Sequence, residues 1–291
     1  MGELQYYVGV SVVQDKQNNR LWLHQRQYIN KIVVKFGQAE AKTVATPADV
    51  NVKLIKEDRV SKPVDPTQYQ SIIGSCRHSP LAVATRPDIA YAVGVLSKFC
   101  AKPSEAHLTA AKRVLRYLKG TENLGLKYDG STDESLTVYS DADWAGDLDD
   151  RHSTSGNALI MASGAVSWLS KKQPTVAMST AEAEYVALSF ATQETIWLRQ
   201  LLGDIGQPLA EATVIYEDNQ AAISIAKNPV SHARTKHIDT RYHFIREELQ
   251  SGVIALEYVP TSEMVADILT KPLSKSQFVK LRNALGLELI V

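Results

Sequence analysis

The spacing of apolar side chains divides the chain into an N-terminal hairpin, a helical middle and a mixed α/β second half. Apolar and β-forming residues over 6–13 predict a strand, residues 15–19 a polar turn, and residues 20–23 a second strand. A helix over residues 27–36 follows. Residues 37–66 contain three prolines and little periodicity, which indicates an extended linker.

Residues 67–120 repeat apolar positions at helical spacing and predict three helices, the last running from near Ser104 to Gly120. The polar face of that last helix carries four basic side chains, namely Lys112, Arg113, Arg116 and Lys119. Residues 101–130 hold six basic residues against three acidic ones. Such a face is simply solvated, packs on the second domain or follows nucleic-acid phosphates, and the sequence leaves these interpretations open.

The second half mixes strands and helices in an order that excludes a purely parallel doubly wound fold. A strand over residues 136–139 and two more over 157–162 and 165–169 predict an antiparallel meander. A long helix over residues 180–202 comes next. The remaining predicted elements are a strand over 212–216, helices over 220–226 and 238–250, a strand over 253–259 and a last helix from Glu263.

Composition limits the class of protein more than it identifies it. A chain of 291 residues predicts two domains, or one with a sizeable extension, and 44% hydrophobic with 22% charged residues is typical of soluble globular proteins. The formal net charge is zero, so a nucleic-acid surface would have to be a local patch. Two cysteines are too few for a disulfide framework or a zinc site. We expect an intracellular protein without a membrane span.

Acidic residues gather where the first strand of the second half ends. Residues 131–150 contain seven carboxylates and no lysine or arginine. Asp149 and Asp150 are typical of a solvated acidic loop, whereas Asp141 directly follows the buried strand. Carboxylates at a strand end repel one another unless a hard cation neutralises them, and Mg²⁺ prefers oxygen ligands. Asp141 therefore becomes a candidate ligand if other carboxylates converge on it.

Two nearby glutamates begin the long helix, and only one of them has an evident structural role. Ser179 and Glu182 form the pattern of a capping box, which gives Glu182 a sufficient reason to be there. Glu184 points about 200° around the helix from Glu182, toward the side that should pack on the sheet. A carboxylate at such a position is costly unless it is paired or metal-bound.

Asp218 and Asp267 complete the candidate set. Asp218 follows the strand over residues 212–216, and alternation places it opposite to Glu217. Asp267 lies among apolar residues near the start of the predicted last helix. Singly, each is more often a cap, a surface charge or an ion-pair partner than a ligand. Jointly, the order Asp, Glu, Asp, Asp on strand, helix, strand and helix is a specific arrangement.

That order resembles the ribonuclease H core and, more narrowly, the C-terminal part of the Pol polyprotein of copia-type LTR retrotransposons. The matching motifs cover nearly the whole chain. They are YVGV from Tyr7, TRPDIAYAV from Thr85, KRVLRYLKGT from Lys112, YSDADWAG from Tyr139, STAEAEYVAL from Ser179, EDNQAA from Glu217, KHIDTRYHF from Lys236 and ADILTKPL from Ala266.

The resemblance implies a fold and a division of the chain. The fold would be a ribonuclease H-like α/β domain with a mixed five-stranded sheet flanked by helices, preceded by a hairpin and a mostly helical connection region. Residues 1–55 would be the C-terminal remnant of a reverse transcriptase, with a hairpin like the one that grips the primer end. Residues 56–130 would be a linker and helical connection, and residues 131–291 the ribonuclease H-like domain.

The resemblance also implies a site and its chemistry. Asp141, Glu184, Asp218 and Asp267 match the family's four metal-binding carboxylates, which hold two Mg²⁺ ions, with Mn²⁺ as a substitute. The activity would be endonucleolytic hydrolysis of the RNA strand of RNA/DNA hybrids. Asn219 and Gln220 are candidate contacts to the hybrid, in addition to the basic helix face. The upstream polymerase palm and fingers would be partners in a parent polyprotein, in the cytoplasm, including virus-like particles, or in the nucleus.

Two departures from the family pattern qualify this interpretation. Many ribonucleases H carry a mobile histidine between the last strand and the last helix, and residues 260–262 here contain none. His237 and His243 lie near the preceding helix, where a histidine is more often a surface or capping residue. The polymerase aspartates of the family lie upstream of the hairpin, so we do not expect DNA synthesis from this chain alone.

Two other functions stay open at this point. A degenerate copy of the element could still fold and bind the hybrid without cutting it. An unrelated metal hydrolase could use the same oxygen ligands, although it would leave the connection motifs unexplained.

Overall fold

The computed structural model describes residues 4–56, 60–77, 81–132, 135–227 and 239–291, which form two five-stranded sheets with helices around them. The first sheet is antiparallel and has the order β1-β2-β3-β4-β10. Its strands are β1 Tyr6–Tyr7, β2 Val10–Asp15, β3 Arg20–His24, β4 Leu124–Asp129 and β10 Leu287–Leu289.

The hairpin at the start of this sheet confirms the predicted strand, turn and strand, with one interruption. Val8 and Gly9 both have positive φ, 46° and 84°, and separate the short β1 from β2. Positive φ is uncommon for a β-branched residue such as Val8, and the alternation of apolar residues gave no sign of this kink.

Four helices of the first half pack into one apolar core with elements from the far end of the chain. They are α1 Arg26–Lys35, α2 Pro66–Arg77, α3 Ala90–Ser97 and α4 Glu105–Gly120. A π-helical turn, Leu81–Thr85, and a 3-10 turn, Pro87–Ile89, join α2 to α3. The buried faces are those that the apolar spacing predicts, for example Tyr69, Ile72, Ile73 and Cys76 on α2.

The second sheet has the order β7-β6-β5-β8-β9 and confirms the predicted ribonuclease H-like fold class. β5 Thr137–Asp143, β6 Thr154–Met161 and β7 Gly164–Lys172 form the antiparallel meander. β8 Thr213–Glu217 runs parallel to β5, and β9 Ile254–Tyr258 runs parallel to β8. The sheet is therefore mixed, as the order of elements predicts.

Helix α5, Thr180–Asp204, packs on one face of this sheet, where Tyr185 and Leu188 share a core cluster with Val138. Two shorter helices, α6 Gln220–Lys227 and α7 Asp239–Gln250, complete that layer. Side chains on the opposite face, such as Ala158 and Ala165, belong to the core of the first half. Among the described residues no helix is both long and apolar enough to cross a membrane.

The end of the chain differs from the prediction. The helix predicted from Glu263 is wrong: two 3-10 turns, Thr261–Glu263 and Val265–Leu269, stand there, and the last helix, α8, is Lys275–Ala284. Pro272 explains part of this, because a proline lacks the N–H that would continue a helix through it. Asp267 therefore lies on a 3-10 turn and not on an α-helix.

The two ends of the chain meet in one sheet, which no local pattern indicated. β10 pairs antiparallel with β4, with Leu287 opposite Leu126. Residues from α1, α4 and α8 share a single apolar cluster with residues of β6. The division at residues 55 and 130 stays a prediction, and across the boundary at 130 the structure shows continuous packing.

Candidate active site

Asp141 lies near the carboxyl end of β5 and is the centre of the candidate site. Its side chain is buried, with 1% of the residue exposed. The Thr270 hydroxyl donates a hydrogen bond to Oδ2 of Asp141, and the Lys271 ammonium lies 3.8 Å from Oδ1. Burial raises the pKa of Asp141 above its ordinary value, while Lys271 and Thr270 act in the opposite direction.

Asp218 reaches the same place because β8 is parallel to β5 and their carboxyl ends adjoin. Ser140 is opposite Glu217 in the register, so the next residues lie side by side, Asp141 still within β5 and Asp218 just beyond the end of β8. The Thr261 hydroxyl donates a hydrogen bond of 2.6 Å to Oδ2 of Asp218. The 3-10 turn after β9 thus fixes one oxygen of this carboxylate.

Glu184 approaches the site from α5, at the helix end nearest the carboxyl ends of the strands. Asp141, Glu184 and Asp218 each offer a carboxylate oxygen, and the three oxygens lie within 4.8 Å of one another. Glu184 is 6% exposed, and its Oε2 has no hydrogen-bond partner within the described part of the chain. Burial first, and then the charges of Glu217 and Asp141, raise the pKa of Glu184 well above its ordinary value.

Asp267 lies beside Asp141, although not within the group of three. The 3-10 turn that carries it packs over β6 at Gly156, where a Cβ atom would lie 2.6 Å from Cγ2 of Thr270 and 3.1 Å from the Ala266 carbonyl oxygen. Only glycine allows so close an approach. Oδ1 of Asp267 lies 2.7 Å from the Lys271 ammonium. Burial and the charge of Asp141 raise the pKa of Asp267 to about 7.

These donors fit a magnesium ion. All four side chains are carboxylates, which are hard oxygen ligands, and Mg²⁺ binds through such groups. A buried carboxylate oxygen without a hydrogen-bond partner, as in Glu184, is costly unless a cation approaches it. The three converging oxygens are the ones that would hold such an ion, and Asp267 lies next to Asp141.

The two glutamates at the start of α5 have the different surroundings that the sequence predicts. The Ser179 hydroxyl accepts a hydrogen bond from the Glu182 N–H, and Oε2 of Glu182 accepts one of 2.9 Å from the Met178 N–H. Glu182 is therefore tied to the helix start, one residue further back than an ideal capping box. Glu184 alone reaches the carboxylate group.

Four residues around the site were not found by sequence reasoning. Glu217 is fully buried, and burial raises its pKa well above the ordinary value, with smaller contributions from Asp141 and Asp218. Its Oε1 accepts from the Asn219 N–H, and its Oε2 has no hydrogen-bond partner within the described part of the chain. The other three are Thr261, Thr270 and Lys271. The signal for Lys271 was present, since a lysine four residues after an acid on one helical turn can pair with it.

The predicted polar contacts lie at the rim of the site. Asn219 caps α6, because its Oδ1 accepts from the N–H groups of Ala221 and Ala222, which leaves its amide NH₂ as a donor. Gln220 is exposed on the first turn of α6. His243 is exposed on α7, and His237 lies outside the described residues. A nucleic-acid role for Asn219 and Gln220 stays a prediction.

Most of the basic face of α4 has partners within the chain. Arg113 pairs with Asp49 at 2.9 Å and donates to the Thr46 carbonyl oxygen. Arg116 donates to the Lys42 carbonyl oxygen. Lys119 likewise donates to the carbonyl oxygen of Ala41, and Lys112 is partly buried beside them. These contacts hold residues 41–49 against α4, a segment that none of the interpretations of the basic face named as its partner.

A cavity of about 680 Å³ adjoins the site on the side of Asp143 and Lys271. Its other walls are residues 47–54, α3 and α4. Lys98 of α3 closes one end through a 2.8 Å ion pair with Asp147. The side chain of Lys271 therefore has space on the side away from the carboxylates.

Comparison with known proteins gives the chain a family. It is 40% identical over 295 residues to the retrovirus-related Pol polyprotein from transposon TNT 1-94 of Nicotiana tabacum, covering 99% of this chain and 22% of that protein. It is 42% identical over 284 residues to the corresponding polyprotein from transposon RE1 of Arabidopsis thaliana, covering 98% of this chain and 19% of that protein. The chain thus spans about a fifth of the length of these relatives.

Solved structures add a weaker likeness. A crystal structure of LC11-RNase H1 in complex with an RNA/DNA hybrid matches 47% of this chain and 94% of that one, with 16% identity and a TM-score of 0.36. No protein-family model matches the chain. The two polyprotein matches extend over practically all of the sequence, and on that ground the chain belongs to the Pol polyproteins of copia-type retrotransposons.

Proposed function

We propose that this chain hydrolyses the RNA strand of RNA/DNA hybrids, as the ribonuclease H part of a retrotransposon polyprotein. The observation that carries the proposal is the group of three carboxylate oxygens within 4.8 Å, two of them on buried side chains, in a ribonuclease H-like sheet. A structural cluster of like charges would be unfavourable, whereas a site built for divalent ions requires one.

Each residue of the site has a part in this proposal. Asp141, Glu184, Asp218 and Asp267 would hold two Mg²⁺ ions, or Mn²⁺ in their place. Bound there, the ions would supply an activated water and a stabilised leaving oxygen for in-line attack on a phosphodiester. Thr270 and Thr261 orient Asp141 and Asp218 by donating to one oxygen of each.

The hybrid would lie across the carboxyl ends of β5 and β8. The amide NH₂ of Asn219 and the side chain of Gln220 are free to contact a 2′-hydroxyl there, the group that distinguishes RNA from DNA. Discrimination would then depend on hydrogen bonds at the rim of the site, while the carboxylates act on the phosphate. The basic face of α4 stays a candidate contact to the hybrid, although three of its side chains also hold residues 41–49.

The test is a matched pair of glutamates on one helix. The full chain is incubated with a hybrid labelled in its RNA strand, with Mg²⁺ and with EDTA. We expect cutting of the RNA strand in Mg²⁺ and none in EDTA. Glu184→Gln should abolish cutting, whereas Glu182→Gln should leave it largely intact, at a cost in stability of about 1 kcal/mol or less from the weakened cap.

Two outcomes would contradict the proposal. If the wild-type chain binds the hybrid and never cuts it in Mg²⁺ or Mn²⁺, this copy is only a nucleic-acid-binding module. If Glu182→Gln stops cutting and Glu184→Gln does not, the wrong glutamate has been assigned to the site.

A further inference from the structure

The fourth carboxylate of the site already has a cation from the chain itself. The Lys271 ammonium lies 2.7 Å from Oδ1 of Asp267 and 3.8 Å from Oδ1 of Asp141. An ammonium group at these distances from two carboxylates occupies the kind of position that a bridging metal ion takes. The pair is built locally, because Lys271 follows Asp267 by four residues and lies just beyond the 3-10 turn, where its N–H donates to the Asp267 carbonyl oxygen.

The other side of Asp141 has no such partner. Oxygens of Asp141, Glu184 and Asp218 converge within 4.8 Å, and no lysine or arginine of the described residues forms an ion pair with Glu184 or Asp218. Oε2 of Glu184 is buried and receives no hydrogen bond. The four carboxylates therefore form two different cation positions. At one of them Lys271 supplies the positive charge, and at the other the charge must come from an external ion.

We propose that the Lys271 ammonium occupies the cation position between Asp141 and Asp267. A first divalent ion then binds firmly at Asp141, Glu184 and Asp218. A second divalent ion binds only by displacing Lys271. The inference rests on the proposed function in so far as these ions are the ones used for hydrolysis. It makes Lys271 a positioning residue that sets the order and the relative strength of metal binding.

The geometry around Lys271 permits such a displacement. Its side chain is 31% exposed and lines the cavity of about 680 Å³, so the ammonium can turn away from the carboxylates into that space. The residues on either side are restrained, because the Thr270 hydroxyl is hydrogen-bonded to Asp141 and the next residue, Pro272, has a fixed φ. A movement would therefore be confined to the flexible side chain of the lysine.

Charge balance favours the same order of events. The ammonium already lies within 3.8 Å of both Asp141 and Asp267. A second divalent ion at the same two carboxylates would therefore meet a like charge at short separation, and such charges repel strongly. The second ion and Lys271 should therefore compete for Asp141 and Asp267.

Metal binding tests this directly on the full chain. Mn²⁺ is titrated by calorimetry and by electron paramagnetic resonance into wild type, Lys271→Met and the control Lys280→Met. Lys280 is a lysine of α8 that pairs with Glu263 and, among the described residues, forms no ion pair with any of the four carboxylates. We expect one firm ion and one weak ion in wild type, a second ion bound at least about 10-fold more tightly in Lys271→Met, and wild-type behaviour in the control.

Two companion variants keep the result decisive. Lys271→Arg retains the charge and should retain the weak second site. If Lys271→Met unfolds in EDTA, Lys271→Gln is titrated in its place. Melting temperatures in EDTA should fall for the neutral variants and recover with Mn²⁺ by more than in wild type, since the ion then replaces a missing charge.

The inference is wrong if the second ion binds equally well with and without Lys271, or if the control shows the same gain. These readouts are independent of cutting. A chain that binds ions in the expected order but cuts no hybrid overturns the proposed function alone. A chain that cuts the hybrid but shows unchanged second-ion affinity overturns this inference alone.

Discussion

Two buried acidic side chains, one in each half of the molecule, have neighbours of opposite charge. Asp88, before α3, is 1% exposed and receives two hydrogen bonds from Arg86, at 2.9 and 2.8 Å, and a third from the Tyr117 hydroxyl. Glu184, on α5, is 6% exposed and has other carboxylates as its neighbours. The first acid is neutralised by the chain, and the second is surrounded by charge of its own sign.

The difference separates a structural charge from a functional one. Burying an ionised group costs several kcal/mol, and the fold compensates at Asp88 with an arginine that is itself buried. At Glu184 and Glu217 no lysine or arginine of the described residues forms an ion pair, and one oxygen of each lacks a hydrogen-bond donor. Such an arrangement is stable only with bound protons or bound cations, which is the property that a metal-dependent site needs.

The largest expected effect comes from breaking the compensated pair. Asp88→Asn leaves the Arg86 charge buried without its partner, which should lower the free energy of unfolding by about 3–5 kcal/mol. Glu184→Gln should leave the free energy of unfolding unchanged or raise it, because the change relieves repulsion among carboxylates. Urea denaturation of both variants in EDTA gives the two values side by side.

Asp49→Asn provides the control for this comparison. Its partner Arg113 and Asp49 itself are both about a quarter to a third exposed, so we expect a loss of about 1 kcal/mol or less. A loss at Glu184→Gln as large as that at Asp88→Asn would show that Glu184 has a structural partner, and the comparison would no longer hold.

A second effect concerns the pH dependence of stability without metal. The pKa of Asp267 is raised to about 7 in the folded chain, from an ordinary value of 3.8. The folded state therefore binds the proton more tightly than the unfolded state. This contribution to stability is fully present below pH 4 and is lost as the pH rises to 7, by on the order of a few kcal/mol.

The free energy of unfolding is measured for wild type and for Asp267→Asn in EDTA over this pH range. The difference between the two isolates the contribution of Asp267. The difference should fall with rising pH. Saturating Mg²⁺ should reduce the slope, since the ion then replaces the proton. A difference that is flat from pH 4 to 7 in EDTA would mean that Asp267 ionises as an ordinary aspartate.

The smallest effect tests how the site is assembled. Gly156→Ala places a Cβ atom 2.6 Å from Thr270 Cγ2 and 3.0 Å from Leu269 Cβ, so the 3-10 turn with Asp267 must shift. We expect a loss of about 1–3 kcal/mol and weaker Mn²⁺ binding, measured by urea denaturation and calorimetry.

Gly203→Ala is the matched change in the same half of the chain. Gly203 lies in α5, with no atom within 4 Å of where its Cβ would be. Alanine there should be neutral or stabilising by about 1 kcal/mol or less, with metal binding unchanged. Equal effects at the two glycines would remove the close packing at Gly156 as the reason for the position of Asp267.

The basic face of α4 shows where local reasoning stops. The sequence placed Lys112, Arg113, Arg116 and Lys119 on one face and left solvent or phosphate as its partners. The structure gives three of them carbonyl oxygens of residues 41–49, a segment predicted only as a linker. An extended segment carries no periodicity, so nothing in its sequence showed which helix it would lie against.

Elements whose cause is local could be predicted from the amino-acid sequence. Apolar spacing predicted α1 to α7 and the meander, Ser179 predicted the start of α5, and the motifs picked out the four carboxylates. The hydroxyls that face those carboxylates, and the approach of Lys271 to Asp141 as well as to Asp267, depend on tertiary packing. Thr270 lies 129 residues along the chain from Asp141, and Thr261 lies 43 residues from Asp218. Such contacts depend on how separate elements pack against one another, and spacing along one element carries no information about that.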